Sequence, residues 1–284
     1  MLLNPFTYHA PTEINDAVKL FSTLENVKIC AGGTFLINNL KLIKKHKKQG
    51  PTHVVSLKKI EALRTISFDS ETLVLGAMTT MQEIVESDLI HTHFPILKLL
   101  ATNIGSTPIR HMATIGGNIA SRYVWTEWPT VLLALEAKLV FDGCQPDPLT
   151  LSIDEYLNKP SAQKGLLTKI IIKKNVGASI NYQRVARSTT LDLPLIGVCI
   201  RARLENNRFT ATRVSINNGT HAAQRDLMLE EFLNNHSDLS TIAKESLRHR
   251  DMALYGQENQ EYKQHMFDVS IKKAITAITE KNGQ

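Results

Sequence analysis

KICAGGTFL at 28–36 and IRHMATIGGNIA at 109–120 each hold a Gly-Gly pair, and the two pairs take four of the 14 glycines in a chain of 284 residues. A glycine tolerates positive φ and exposes its amide without a Cβ, so paired glycines in a turn let successive N–H groups converge on one anion. Thr34 follows the first pair and Asn118 the second, adding a hydroxyl and an amide side chain. Two such turns could grip one diphosphate from both sides; two separate tight turns are the plainer alternative. Neither pair fits G-x-G-x-x-G or the P-loop with its terminal Gly-Lys-Ser/Thr, so a nucleotide site built on them is of neither the Rossmann nor the P-loop kind.

Around the first pair, Val27 to Ala31 reads as a short buried strand and Leu36 to Lys48 as a helix that Pro51 breaks, in the order strand, glycine turn, helix. Upstream, Thr12 is expected to cap a helix through Ala17, Val18, Leu20 and Phe21. Val54-Val55 and Leu73 to Ala77 are further strands, Thr79-Thr80 can cap a helix from Met81 to Ser87, and Pro95 opens another that ends at Gly105. After the second pair come apolar Val131 to Leu135, alternating Lys138 to Phe141 and the buried-strand run Ile170 to Ile172. Lys173 to Ser179 is the candidate boundary. Beyond it, Leu195 to Arg203 and Arg213 to Ile216 read as strands around the turn Glu205-Asn206-Asn207, and the remainder is mainly helical. These pieces suggest an α+β layer arrangement.

At 43% hydrophobic the chain can bury one large core or two moderate ones. No stretch approaches the roughly 18 consecutive apolar residues of a membrane span, and Met1-Leu2-Leu3-Asn4-Pro5 lacks the basic and apolar regions of a signal peptide, so a cytoplasmic protein is expected. Cys30, Cys144 and Cys199 stand far apart and form no C-x-x-C, which argues against a disulfide framework, a metal site or an in-chain iron–sulfur cluster. The formal charge of +6 permits attraction to anions. Its densest run, Lys41, Lys44, Lys45, His46, Lys47 and Lys48, reads as the end of a helix, where cations meet the negative dipole end. No aromatic residues interleave with those charges, which argues against nucleic acid. His9, His91, His93 and His111 are scattered and make no catalytic cluster.

The two glycine segments, with LVLGAMTTMQEI at 73–84, EWPTVLLALEAKL at 127–139, LLTKIII at 166–172 and YQRVARSTTLDLPLIGV at 182–198, resemble the FAD-binding medium subunit of the molybdenum hydroxylases. That family includes carbon monoxide dehydrogenase and the bacterial xanthine dehydrogenases. The resemblance implies an α+β fold with a two-part FAD-binding domain of the vanillyl-alcohol-oxidase (PCMH) type over 1–175, its subdomains about 1–56 and 57–175. A smaller α+β domain of the carbon monoxide dehydrogenase flavoprotein type would follow over 176–284.

It also implies that both glycine segments hold the FAD diphosphate. By position, the residues are Lys28, Ile29, Ala31, Gly32, Gly33, Thr34 and Phe35 in the first, and Thr114, Ile115, Gly116, Gly117 and Asn118 in the second. The family's acidic residue after the second segment falls on Glu127, an aliphatic residue beside the flavin ring on Leu166, and a basic residue near the ring on Arg184. Glu127 could accept hydrogen bonds from ribityl or ribose hydroxyls, or stand as an exposed acid at a helix start; Arg184 could stabilise a reduced flavin, or form a surface salt bridge. Arg122-Tyr123-Val124-Trp125-Thr126-Glu127 replaces the family's small-residue stretch ending in Asp, and Pro108, His111, Ala113 and Gly165 are further departures. The function implied is non-covalent FAD binding in an electron-transfer subunit. Its partners would be an iron–sulfur small subunit and a molybdopterin large subunit, with NAD, a quinone, a carrier or oxygen as acceptor. A free-standing FAD-dependent oxidoreductase and a redox-inactive nucleotide-binding protein are the alternatives.

Overall fold

A computed structural model describes residues 2–144, 147–158, 165–188, 192–256 and 261–282. The chain divides into two units, one of Met1–Ser121 with Lys138–Ile172, the other of Arg122–Ala137 with Lys173–Gln284. The candidate boundary at Lys173 to Ser179 thus falls where the second unit resumes. The excursion of 122–137 into that unit carries no signal in the sequence.

The first unit holds two sheets. In the smaller, β1 (Thr7–His9) and β2 (Val27–Cys30) flank β3 (His53–Ser56) as parallel partners, with Thr7 and Val27 both opposite His53. Parallel neighbours need crossovers, which the helices Ile14–Thr23 and Leu36–Lys45 supply. The first starts from Glu13 with no side-chain cap, so the expected role of Thr12 is not found. The larger sheet has the order β4 (Ile66–Phe68), β5 (Thr72–Gly76), β8 (Leu166–Lys173), β6 (Lys138–Asp142), β7 (Leu149–Ser152).

Helix Met81–Glu86 opens as expected at Thr80. Its Oγ1 accepts from Glu83 N–H at 3.2 Å while Glu83 Oε2 accepts from Thr80 N–H at 2.6 Å, a reciprocal box worth about 1 kcal/mol. Ser87 caps a further helix, Asp88–His93, where the sequence reading placed the end of the preceding one.

In the second unit, β9 (Ala178–Ala186), β10 (Pro194–Glu205), β11 (Arg208–Asn217) and β12 (Gln224–Arg225) form an antiparallel sheet in the order β12-β11-β10-β9. Asn206 and Asn207, both at positive φ, make the β10–β11 hairpin turn as Asn residues favour. Helices Leu227–Asn235 and Glu261–Asn282 cover one face, burying Val198, Ile200, Val214, Ile216, Phe267 and Ile271. Segment 122–137, with its helix Trp128–Ala134, is tied to β11: Ser215 Oγ donates to Thr130 O at 2.6 Å and Asn217 Nδ2 to Thr126 O at 3.0 Å.

Candidate functional site

Strand β2 lies at the edge of its sheet and ends at Cys30, after which Ala31 to Thr34 turn the chain into helix Leu36–Lys45. Gly33 has φ +74, a left-handed conformation that glycine adopts without the strain of a Cβ. The carbonyls of Gly33 and Thr34 are engaged, by Ile37 N–H at 3.0 Å and Asn38 Nδ2 at 3.2 Å. The amides of Gly32, Gly33 and Thr34 donate to no group among the described residues. They stand at the N-terminal, positive end of a ten-residue helix, so this turn offers several unused donors to an anion.

The second pair works differently. Gly116 and Gly117 lie inside helix Ile115–Ala120, not in a turn, and their amides are engaged: Gly116 N–H donates to Ala77 O at 2.9 Å and Gly117 N–H to Thr114 Oγ1 at 3.1 Å. The expected convergence of amides on an anion is therefore corrected for this segment. The missing side chains allow backbone to approach backbone. A Cβ on Gly116 would stand 2.6 Å from both Cβ and O of Ala77, and one on Gly32 1.8 Å from Met112 O. One on Gly117 would stand 3.4 Å from Ala31 Cβ. The two glycine segments, distant in sequence, thus meet. Beside them Asn118 is buried, and its Oδ1 has no hydrogen-bond partner. Such an orphaned acceptor is costly in the interior unless a ligand or water satisfies it.

Arg110 stays outside this contact. Its Nη1 reaches the carbonyls of Thr102, Ile104 and Gly105 at 3.3–3.4 Å and its Nε reaches Gln82 Oε1 at 3.1 Å, so it anchors the approach to the second segment. Leu166 is buried with Val55, Leu57 and Leu63, and Ile29 and Ala31 pack on that cluster, which places it under the first glycine turn. Lys28 and Phe35 are exposed.

Glu127 and Arg184 belong to the second unit, where they face each other. The carboxylate is buried, accepts from Tyr182 Oη at 2.9 Å, and lies 3.2 Å from Arg184 Nε without the alignment of a hydrogen bond. Both contacts fall on Oε1. Glu127 is thus no exposed helix-start acid, nor is Arg184 a surface salt bridge: its side chain is 19% exposed and also donates to Asp192 O. Burial pushes the Glu127 carboxyl above its ordinary value of 4.5, and the Arg184 charge and the Tyr182 and Arg184 contacts only partly oppose this. Tyr182 was missed by sequence reasoning, because nothing local links a tyrosine to an acid 55 positions away.

A carboxyl whose pKa is raised on folding binds its proton more tightly in the folded state. Its contribution to stability is therefore complete below 4.5 and declines as pH rises from there through the raised value. The stability of the parent relative to Glu127→Gln is expected to fall across that window. Urea unfolding of both proteins between about pH 4 and about pH 8 checks it; a difference that grows with pH contradicts the burial argument.

The strand, turn and helix order, with its two glycine segments in contact, makes an α+β domain that is followed by a smaller α+β part. Residues 4–174 match the family model for the FAD binding domain in molybdopterin dehydrogenase. The chain belongs to that family, whose members are FAD-dependent oxidoreductase components, and its cofactor is FAD.

Among its relatives, the carbon monoxide dehydrogenase medium chain of Hydrogenophaga pseudoflava is 33% identical over 49% of this chain and 47% of its own length. The xanthine dehydrogenase FAD-binding subunit of Escherichia coli O157:H7 is 24% identical over 95% and 94%. The chain spans about half the length of the two carbon monoxide dehydrogenase medium chains it matches, 47% and 53%. The fold is shared with carbon monoxide dehydrogenase from Hydrogenophaga pseudoflava (TM-score 0.88, 24% identity, 99% of each chain) and quinoline 2-oxidoreductase from Pseudomonas putida 86 (TM-score 0.85, 18% identity, 99% of each chain).

Proposed function

We propose that this chain holds FAD non-covalently and serves as the electron-transfer subunit of a molybdenum hydroxylase. Electrons reach it from the iron–sulfur clusters of a small partner subunit, fed by a molybdopterin large subunit, and leave for an external acceptor. FAD supplies the chemistry that joins one-electron to two-electron steps. The carrying observation is the turn Gly32-Gly33-Thr34, three unused amides at a helix N-terminus lying against the second glycine segment and its orphaned Asn118 Oδ1. Those donors fit a diphosphate, and Asn118 fits a cofactor hydroxyl or amide.

Lys28, Ile29, Ala31 and Phe35 would line the first segment, and Thr114, Ile115, Gly116 and Gly117 hold the second against it. Leu166 supports the turn from below. Glu127 has Oε2 without a hydrogen bond among the described residues, which suits a ribityl or ribose hydroxyl, while Arg184 sets the charge beside it. We further propose the family boundaries, an FAD-binding domain over 1–175 with subdomains about 1–56 and 57–175, and a C-terminal domain over 176–284. The clusters fall to a partner because Cys30, Cys144 and Cys199 are separate free thiols. Free thiols also suit the reducing cytoplasm. No helix among the described residues is long and apolar enough to cross a membrane.

The purified chain is expected to be yellow, or to become so when FAD is added; an absorbance spectrum without flavin bands after FAD addition overturns the proposal. Turnover of a substrate by the isolated chain would favour a free-standing oxidoreductase, and nucleotide uptake without flavin reduction an inactive relative. Gly33→Ala places an alanine at φ +74, about 1–2 kcal/mol strained. Its Cβ meets only Cys30 Sγ and Ile37 Cγ1, both at 3.6 Å, so packing tolerates it. Relaxing the strain turns the amides away, and the Kd for FAD is expected to rise about five- to thirtyfold in a fluorescence titration.

A further inference from the structure

The lysines around helix Leu36–Lys45 are left over once cofactor binding and packing are accounted for. Lys41, Lys44, Lys45, Lys47 and Lys48 lie on or just after it, and no Asp or Glu stands between Glu25 and Glu61. None of the five forms an ion pair among the described residues. The helix dipole accounts for Lys44 and Lys45 in the last turn. It does not account for the other three.

Lys47 has φ +52, the left-handed conformation in which glycine closes helices at lower free energy. Its N–H reaches Lys44 O and that of Lys48 reaches Ile43 O, both at 3.0 Å, so the conformation is fixed by the turn. A lysine at that position adds charge where stability alone favours glycine. On the same helix Leu42 and Ile37 are 52% and 38% exposed and supply apolar area among the charges. The helix begins directly after Phe35, next to the last unused amide of the glycine turn.

We propose that this helix is the docking surface for an acidic one-electron carrier protein acting as the external acceptor, an inference that rests on the FAD assignment above. Charge complementarity selects the occupant: a positive patch whose lysines form no ion pair among the described residues steers an acidic surface to the helix that springs from the cofactor turn. A nicotinamide or a quinone is recognised by a pocket, not by cations spread along a helix end. A single nucleic-acid strand needs aromatic side chains to stack on, and none occurs from Leu36 to Gln49 apart from His46. Each docked carrier accepts one electron. A two-electron oxidation of the reduced flavin therefore reduces two carriers in turn and leaves two protons to water.

The test titrates the full chain, loaded with FAD, with an acidic plant-type ferredoxin and reads binding by calorimetry at low and high salt. Binding is expected at low salt and should weaken as salt is added. The triple variant Lys41→Glu, Lys45→Glu, Lys48→Glu should bind roughly tenfold or more weakly, and the corresponding Gln triple less tightly than the parent but better than the Glu triple. Both triples should keep the flavin spectrum of the parent, which shows that they fold. Ferredoxin binding unchanged in the Glu triple, or absent in the parent, overturns the proposal. So does tighter lysine-dependent binding of duplex DNA or of phosphatidylserine vesicles. Failure to take up FAD is seen in the spectrum and overturns the cofactor assignment separately.

Discussion

Gly32→Ala is expected to abolish tight FAD binding and to destabilise the first unit by about 3 kcal/mol, the larger end of overpacking effects. Its Cβ would stand 1.8 Å from Met112 O, 2.7 Å from Met112 C and 3.1 Å from Ala113 Cα. All three neighbours are backbone, so no rotamer change relieves them. Non-bonded carbon contacts settle near about 3.5 Å, so the two glycine segments must part by well over an ångström. The unused amides of the first segment then lose their position relative to Asn118, and preorganised donors act only where they already point at the charge. The expected loss of FAD affinity is roughly a hundredfold or more, about 2.7 kcal/mol.

Two measurements separate the effects: urea unfolding without FAD reads the packing loss, and a fluorescence titration reads the affinity. Gly33→Ala is the control, since its Cβ meets only side chains at van der Waals distance. Gly32→Ala that binds FAD as well as Gly33→Ala would contradict the close approach as the reason for the glycine.

Much of this site was legible because its signals are local. The strand before Gly32, the helix after it and the capping box at Thr80 follow from apolar runs, glycine and a Thr-x-x-Glu spacing that physics ties to one conformation each. The second glycine pair lies against the first segment, yet its amides are engaged within the protein. Whether a glycine frees an amide or admits a neighbour depends on what packs on it, and Ala77 and Met112 are not marked in the sequence. The same holds for Glu127, whose partners Tyr182 and Arg184 come from β9. Burial of an acid is set by distant residues, so local composition left an exposed helix-start acid open as an alternative. The excursion of 122–137 into the second unit was hidden for the same reason: helix Trp128–Ala134 is buried at every position, and a helix buried all round does not say which core it joins.

Glu136 lies one residue before the end of that excursion, and Glu136→Gln is expected to destabilise the second unit by about 3 kcal/mol. Glu136 Oε2 accepts from Arg201 Nη2 at 2.7 Å and its Oε1 from Arg213 Nε at 2.8 Å. The two partners are not equivalent. The Arg201 side chain is only 4% exposed and its Nη1 already lacks a partner, whereas that of Glu136 is 45% exposed. Removing the carboxylate leaves a buried guanidinium without its counter-charge, which is strongly unfavourable; removing the guanidinium leaves an acid that water and Arg213 still satisfy. Arg201→Met, which also keeps much of the buried volume, should therefore cost clearly less than Glu136→Gln, about 1 kcal/mol.

The pH dependence follows the same asymmetry. Burial pushes the Glu136 carboxyl up, but the hydrogen bonds and the positive charges of Arg201 and Arg213 together outweigh it and hold the pKa below 4.5. The carboxyl then binds protons less readily when folded. Its contribution is present above 4.5 and is lost as pH falls from there through the lowered value, a window on the acid side of the one expected for Glu127. Urea unfolding of the parent and both variants, at neutral pH and again below about pH 4, decides the matter. A larger loss for Arg201→Met than for Glu136→Gln would show that the guanidinium is solvated, and that this ion pair does not hold the excursion in place.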